Sequence, residues 1–125
     1  MKSLKTLHKE LWALTSQYIR LKEHYVCFTC GAQLDKNNSH CGHFLHNAKN
    51  SKLAYEHKIL HCQCVKCNYH MSGNLLEYTL KMVRKYGIKQ VNQWKREASK
   101  PYKWKRSELE EKLSTVKKQL KRLEK

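Results

Sequence analysis

The chain has 125 residues, 26 of them Lys or Arg and 10 Asp or Glu, for a formal charge of +16 with neutral His. With 40% apolar and 29% charged residues, one small domain, or one domain with helical appendages, is the expectation. No run approaches the roughly 20 apolar residues of a membrane span. One Pro and four Gly exclude collagen-like and low-complexity classes.

The start, MKSLKTLHKELW, is interrupted by Lys5 and His8 and does not read as a signal peptide. A reducing compartment and few disulfides follow as expectations. Charge divides the chain: +3 over residues 1–25, +3 over 26–74 and +10 over 75–125. Six of the eight His lie between His40 and His70. Three regions are therefore expected: a helical arm (1–25), a Cys/His centre (26–87) and a basic helical tail (88–125).

In the arm, Leu4, Leu7, Leu11, Leu14, Tyr18, Leu21 and Tyr25 are spaced 3-4-3-4-3-4. That spacing predicts a helix with one apolar seam. The seam serves either a face on its own domain or a dimer.

The centre holds two Cys-x-x-Cys pairs, Cys27 with Cys30 and Cys64 with Cys67. Each pair sets two thiolates on one side of a tight turn. Together they predict a closed, tetrahedral, structural zinc site, whose binding energy would be folding energy in so small a domain. Cys41 and Cys62 read as small buried hydrophobes, with Cys62 in place of Cys64 as an alternative ligand. Short strands are expected at Val26 to Thr29 and at His43 to Leu45. After Cys67, Leu75, Leu76, Leu80, Val83 and Tyr86 predict a helix that Gly87 stops, and Asn74 reads as a turn or N-cap residue. A knuckle, a hairpin and a second knuckle opening a helix make a treble-clef arrangement. The expected fold class is a small α+β core of this kind, flanked by helices.

The strings CFTCG, CGHF and HCQCVKCNYHMSGN, followed by EYTLKMVRKYGI, closely resemble the NinG (Rap) recombination proteins of lambda-like phages. The likeness runs from about Tyr25 to Trp94. It implies a His-Me finger, or HNH-type, endonuclease directed at D-loops and four-way junctions, in the cytoplasm of a bacterial host. The Cys pairs also look like the zinc site of the phage resolving enzyme endonuclease VII. The resemblance makes His43, in Gly-His-Phe, the general base, a role that suits a His titrating near neutrality. It makes Asn68, after the last Cys, a ligand of a catalytic Mg²⁺ or Mn²⁺, both of which favour oxygen donors. His61 and His70 are further site candidates. HNH centres often carry an Asp before the base. Here Gly42 stands there, as in the NinG group, and Glu56 is the nearest acidic substitute. Ile59 occupies the position where the family carries an Asn that orients the base. Either His57 or His61 takes that role, or the site is weakened.

The tail from Lys81 to Arg106 has ten Lys/Arg against Glu97 alone, with Tyr86, Trp94, Tyr102 and Trp104 interleaved. Such mixing suits a polyphosphate with exposed bases. Lys81, Arg84, Lys85, Lys89, Lys95, Arg96, Lys103, Lys105 and Arg106 are the expected contacts to branched DNA. Ser107 with Glu110 forms a capping-box pattern. Leu109, Leu113, Val116, Leu120 and Leu123 form a second seam. The two seams could pair within one chain or across a two-fold axis; a homodimer would suit a junction with two equivalent strands. The competing readings are a non-catalytic zinc module that binds DNA or RNA, and a helix-mediated assembly protein. A zinc deaminase is disfavoured, since no His-x-Glu precedes a Pro-Cys-x-x-Cys.

Overall fold

The computed structural model describes residues 1–124. Among these residues it is a small α+β fold of four α-helices and one two-stranded sheet: α1 (Leu4–Lys22), β1 (Ser39–His43), β2 (Leu60–Cys64), α2 (Leu75–Tyr86), α3 (Ile88–Ala98) and α4 (Arg106–Glu124). Single 3₁₀ turns, His46–Asn50 and His57–Ile59, occupy the β1–β2 connection, and a π turn, Lys66–His70, follows β2.

Helix α1 starts where the Ser3 hydroxyl accepts from the Thr6 amide, which satisfies a donor the helix end leaves open. Its buried face is Leu7, Leu11, Thr15 and Ile19, so the seam drifts from the heptad expected. A helix turns every 3.6 residues, not 3.5, and α1 also has two partners. Leu7 and Leu11 pack with Leu109, Leu113 and Val116 of α4. Ile19 packs with Cys41 and Leu60 of the sheet. Leu4 is exposed, and Tyr25 lies beyond the helix in a left-handed conformation. Helix α4 buries its seam as expected up to Leu120, leaving Leu123 exposed. Each buried Leu contributes about 2 kcal/mol, so the α1–α4 seam is a main support of the fold. The two seams meet inside one chain. A homodimer would need another surface.

The strands differ from those expected. β1 pairs antiparallel with β2, Cys41 opposite Cys62 and His43 opposite Leu60. Segment 26–29 is no strand: Val26 makes one bridge to Gln33, and the Phe28 amide donates to the Cys62 carbonyl at the outer edge of β2. SHCGH and LHCQC show no apolar–polar alternation because both faces are covered; β2 is buried throughout. One face meets α1. The other meets Tyr78 of α2, whose hydroxyl donates to the Gly42 carbonyl (2.8 Å).

In α2 the structure buries Tyr78 and Met82, and the expected inner residues Leu75, Leu76 and Leu80 are exposed. Gly87 does end α2, at φ +88°, a conformation that favours glycine. Helix α3 then adds Val91, Trp94 and Ala98 to a core with Phe44, Leu53, Ile59, Tyr78 and Met82. Residues 88–98 thus share a core with 26–87, and α4 shares one with α1, Ala54 and Tyr55. The divisions at 25/26 and 87/88 separate chemistry rather than cores. The cap of α4 is also not Ser107 with Glu110. Glu108 accepts from the Lys105 amide (2.9 Å) and from the Tyr102 hydroxyl (2.6 Å).

Candidate functional site

The ligand atoms of Cys27, Cys30, Cys64 and Cys67 all lie within 4.8 Å of one another, with Cys30 Sγ 3.7 Å from Cys64 Sγ. Four sulfurs at zinc–thiolate distance on a tetrahedron stand about 3.8 Å apart, so the cluster fits a structural metal such as zinc. Gly31, at φ +80°, turns the first knuckle and donates its amide to the Cys27 carbonyl. The second knuckle leads into the π turn, where the Cys67 backbone amide donates to Cys64 Sγ (3.4 Å) and the Asn74 side-chain amide to Cys67 Sγ (3.5 Å). Asn74 sits before α2 without capping it.

Electrostatics also call for a cation. Burial opposes ionisation of Cys27, but hydrogen bonds from Thr29 and nearby backbone outweigh it and bring this thiol down to about 6. The Ala32 backbone favours the Cys30 thiolate, yet burial and the Cys27 and Cys64 sulfurs push it up to about 12. Burial likewise raises Cys64. One thiolate suppresses its neighbours until a dication removes the repulsion. Cys62 is outside the cluster. It lies opposite Cys41 in the sheet, and burial first, then Glu23, push it up to about 12. Both are neutral, buried thiols, as expected.

His43 ends β1 beside a cleft of about 620 Å³. The cleft is walled by α1 (His8, Lys9, Trp12), by Lys49, Asn50, Ala54 and Tyr55, and by Tyr102 and Trp104. The His43 ring stacks on Trp12 (4.7 Å, 11°), and its Nε2 lies 3.1 Å from the Ala54 carbonyl. A carbonyl only accepts, so Nε2 carries the proton and Nδ1 is the free acceptor. Burial pushes the His43 pKa below its ordinary value, against the Ala54 hydrogen bond. The neutral form of a base is thereby favoured.

Asn68 lies elsewhere. Its amide donates to His40 Nδ1 (2.9 Å), and its Oδ1 is 3.0 Å from where a Cβ on Gly42 would stand. Neighbouring strand residues point to opposite faces, so Asn68 approaches the face opposite the His43 side chain. Gln63 Oε1 would stand only 1.9 Å from the same Cβ. Gln63 is fully buried and its amide donates to Thr29 Oγ1 (3.1 Å) and the Gly73 carbonyl (2.8 Å). The pattern explains Gly42 by space: Gln63 occupies the volume an Asp would fill. Gly42→Ala is therefore expected to cost about 2–3 kcal/mol, from displaced hydrogen bonds and overpacking. Urea unfolding of Gly42→Ala, Gln63→Ala and the double variant checks this. The double should be more stable than the sum of the singles implies.

The remaining candidates are dispersed. Glu56 lines a different cleft, with Lys22, His57, Lys58 and Lys112. His61 is buried in the core: it stacks on Phe28 (3.8 Å) and pairs through Nδ1 with Glu23. His70 is exposed at the end of the π turn, edge-on to Tyr69. Ile59 is fully buried; its place in the apolar core accounts for a side chain that cannot hydrogen-bond. The sequence reading missed His8, Lys9, Trp12, Lys49 and Tyr55 as companions of His43. His8 and Trp12 do carry a signal, since a spacing of four puts them on one helix face.

The family described as Bacteriophage Lambda NinG protein matches residues 1–125. The chain belongs to the NinG family. Protein ninG of Salmonella phage P22 is 30% identical over 86 residues, 68% of this chain and 42% of that protein. Protein ninG of Escherichia phage lambda is 29% identical over 86 residues with the same coverage. The chain thus spans about 42% of the length of the curated relatives it matches. No solved structure matches it.

The basic residues of this NinG chain spread over three elements. Lys81, Arg84 and Lys85 lie on α2, Lys89, Lys95 and Arg96 on α3, and Lys103, Lys105 and Arg106 at the approach to α4. Lys81 and Arg106 are half-buried and the others exposed. Among the described residues the only Lys or Arg paired with a carboxylate is Lys2, with Glu10, so none of these nine cations is held by one. Trp94 is buried, with Tyr86 packed edge-on to it, whereas Tyr102 and Trp104 face the cleft. No helix among the described residues is long and apolar enough to cross a membrane.

Proposed function

We propose that this NinG-family chain is a structure-selective endonuclease with a zinc-stabilised, treble-clef His-Me finger centre, nicking branched DNA such as D-loops and four-way junctions. The observation that carries the reading is His43: an imidazole whose neutral form burial favours and whose Nε2–H is held by the Ala54 carbonyl, beside an aromatic cleft that also bears Lys9 and Lys49. In this mechanism His43 Nδ1 takes the proton of a water whose oxygen bonds to phosphorus as the P–O bond to the leaving sugar oxygen breaks, and that oxygen takes a proton from solvent. Lys9 and Lys49 stabilise the charge that grows on the phosphate. The unpaired cations of α2, α3 and the 103–106 segment hold the arms of the DNA, with affinity that falls steeply with salt. Branch preference comes from shape and flexibility.

The catalytic Mg²⁺ or Mn²⁺ expected at Asn68 does not find a fitting donor set. Mg²⁺ usually takes one or two protein carboxylates. Around Asn68 the structure offers amide groups and the His40 ring, and Glu56 lines another cleft. Among the described residues, the only group of three or more His, Cys, Asp or Glu gathered closely enough to share a metal is the four-Cys group. This favours a second reading, a non-catalytic zinc module that binds DNA or RNA. A homodimer facing both strands of a junction belongs to the first reading, on a surface other than the α1 and α4 seams. Its compartment would be the cytoplasm of a phage-infected bacterium.

The deciding experiment is nicking of a labelled four-way junction and a matched duplex in Mg²⁺, Mn²⁺ or EDTA. Junction cutting that disappears in His43→Ala supports the endonuclease. Tight, salt-sensitive binding with no cutting in any buffer sinks it and leaves the binding module.

A further inference from the structure

The cleft beside His43 has a composition that hydrolysis alone does not require. Its volume of about 620 Å³ lies within the roughly 300–1,000 Å³ of pockets that enclose one small molecule. Trp12, Tyr55, Tyr102 and Trp104 line it, Lys9 and Lys49 stand at it, and no carboxylate lines it. Aromatic faces beside cations, without an acid, match a flat base attached to a phosphate.

The rings are also fixed in advance. The Trp104 indole donates to the Ser51 carbonyl (3.2 Å). Tyr102 is held at both ends, its amide donating to the Asn50 carbonyl (3.0 Å) and its hydroxyl to Glu108 (2.6 Å). The two rings stand perpendicular, with centroids 5.2 Å apart, and form a corner; Lys52 Nζ lies over the Tyr102 ring and Lys112 Nζ over the Trp104 ring, each 5.6 Å from the centroid. Along 102–105 the aromatics are half-buried and Lys103 and Lys105 exposed. This alternation directs rings to the cleft and charges to solvent. Preset rings lower the ordering cost of stacking.

We infer that the cleft receives one unpaired nucleotide of a nucleic-acid strand, its base in the Tyr102–Trp104 corner and its phosphate at Lys9 and Lys49. The inference rests on the nucleic-acid half of the proposed function and is independent of hydrolysis. It supplies a selection step: a bulge or branch point presents a free base, whereas a paired strand must first meet the cost of unpairing.

The test is binding of the zinc-loaded full chain in EDTA, read by fluorescence anisotropy. The probes are a fully paired duplex and the same duplex with a one-nucleotide bulge, with dAMP as competitor. A stacked base should make the bulged probe roughly tenfold tighter. Tyr102→Ala should bring the ratio of the two affinities near one. So should Lys9→Gln with Lys49→Gln, which alters only exposed side chains and guards against misfolding of the first variant. A wild-type ratio near one, or a ratio that survives both variants, overturns the pocket. Displacement of the bulged probe by micromolar dAMP also overturns it, in favour of a free-nucleotide site. Loss of binding to every DNA would overturn the pocket and the nuclease reading together. A selective ratio in a protein that never nicks would overturn the nuclease alone.

Discussion

Cys67→Ser protein is expected to be largely unfolded at 25 °C and to retain no tightly bound zinc. Cys67 is buried in a small apolar cluster with Cys27, Cys64 and partly buried Leu34. A metal on the cluster would join two segments, 27–30 and 64–67; segment 27–30 lies outside the two-stranded sheet and reaches it through the Phe28 amide on the Cys62 carbonyl. Structural zinc contributes an apparent binding energy of about 10–16 kcal/mol in small domains, beyond the 5–15 kcal/mol net stability of an ordinary domain. Removing one thiolate forfeits much of it. Far-UV circular dichroism with a zinc-release assay makes the measurement. Cys62→Ala is the control: it is equally buried but outside the cluster, so it should cost about 1–2 kcal/mol and keep the metal. Equal melting of Cys67→Ser and the parent protein would refute a structural role for the cluster.

The second large effect concerns the proposed nuclease activity. His43→Ala is expected to lower junction nicking roughly 10²–10⁴-fold while leaving DNA affinity nearly unchanged. Its pH profile follows from the buried ring. A general base acts when neutral, and burial pushes the His43 pKa below the ordinary imidazole value. The rate should therefore be flat through neutral pH and fall on the acid side, with its midpoint below about 6.5. The residual rate of His43→Ala should lack that acid limb. A parent profile still rising above pH 7 would mean another group sets the rate.

How much of this was legible without coordinates varies by element. The Cys pairs were readable because a knuckle is local: two ligands three residues apart meet wherever the chain goes. Gly87 was readable for the same reason, as a helix stop of positive φ. The strands were not, since strand detection depends on alternation and SHCGH and LHCQC are covered on both faces. In helix α2 the expected Val83 and Tyr86 do pack against the core, while Leu75, Leu76 and Leu80 are exposed. Apolar residues lie all around it, so the pattern alone could not tell Tyr78 and Met82 from Leu76 and Leu80. What α2 packs against made that choice.

The candidate site divides in the same way. His43 stood out through Gly-His-Phe, yet its companions come from α1, the β1–β2 connection and the 102–104 segment, too distant in sequence for any local motif. Asn68 and Gly42 do come close, but Gln63 fills the space between them, which no spacing rule reveals. Glu56 was chosen as a nearby acid in sequence and lines a different cleft.

The sequence by itself determined the basic balance, the four-thiolate cluster, the seam of α4 and the membership in the NinG family. Each depends on composition or on spacing within a few turns of chain. Tertiary structure alone decided that the seams cover each other, that α3 joins the central core and that His43 faces Trp12, Tyr102 and Trp104. Those outcomes depend on which distant apolar faces bury each other best, and burial is proportional to area without regard to sequence order.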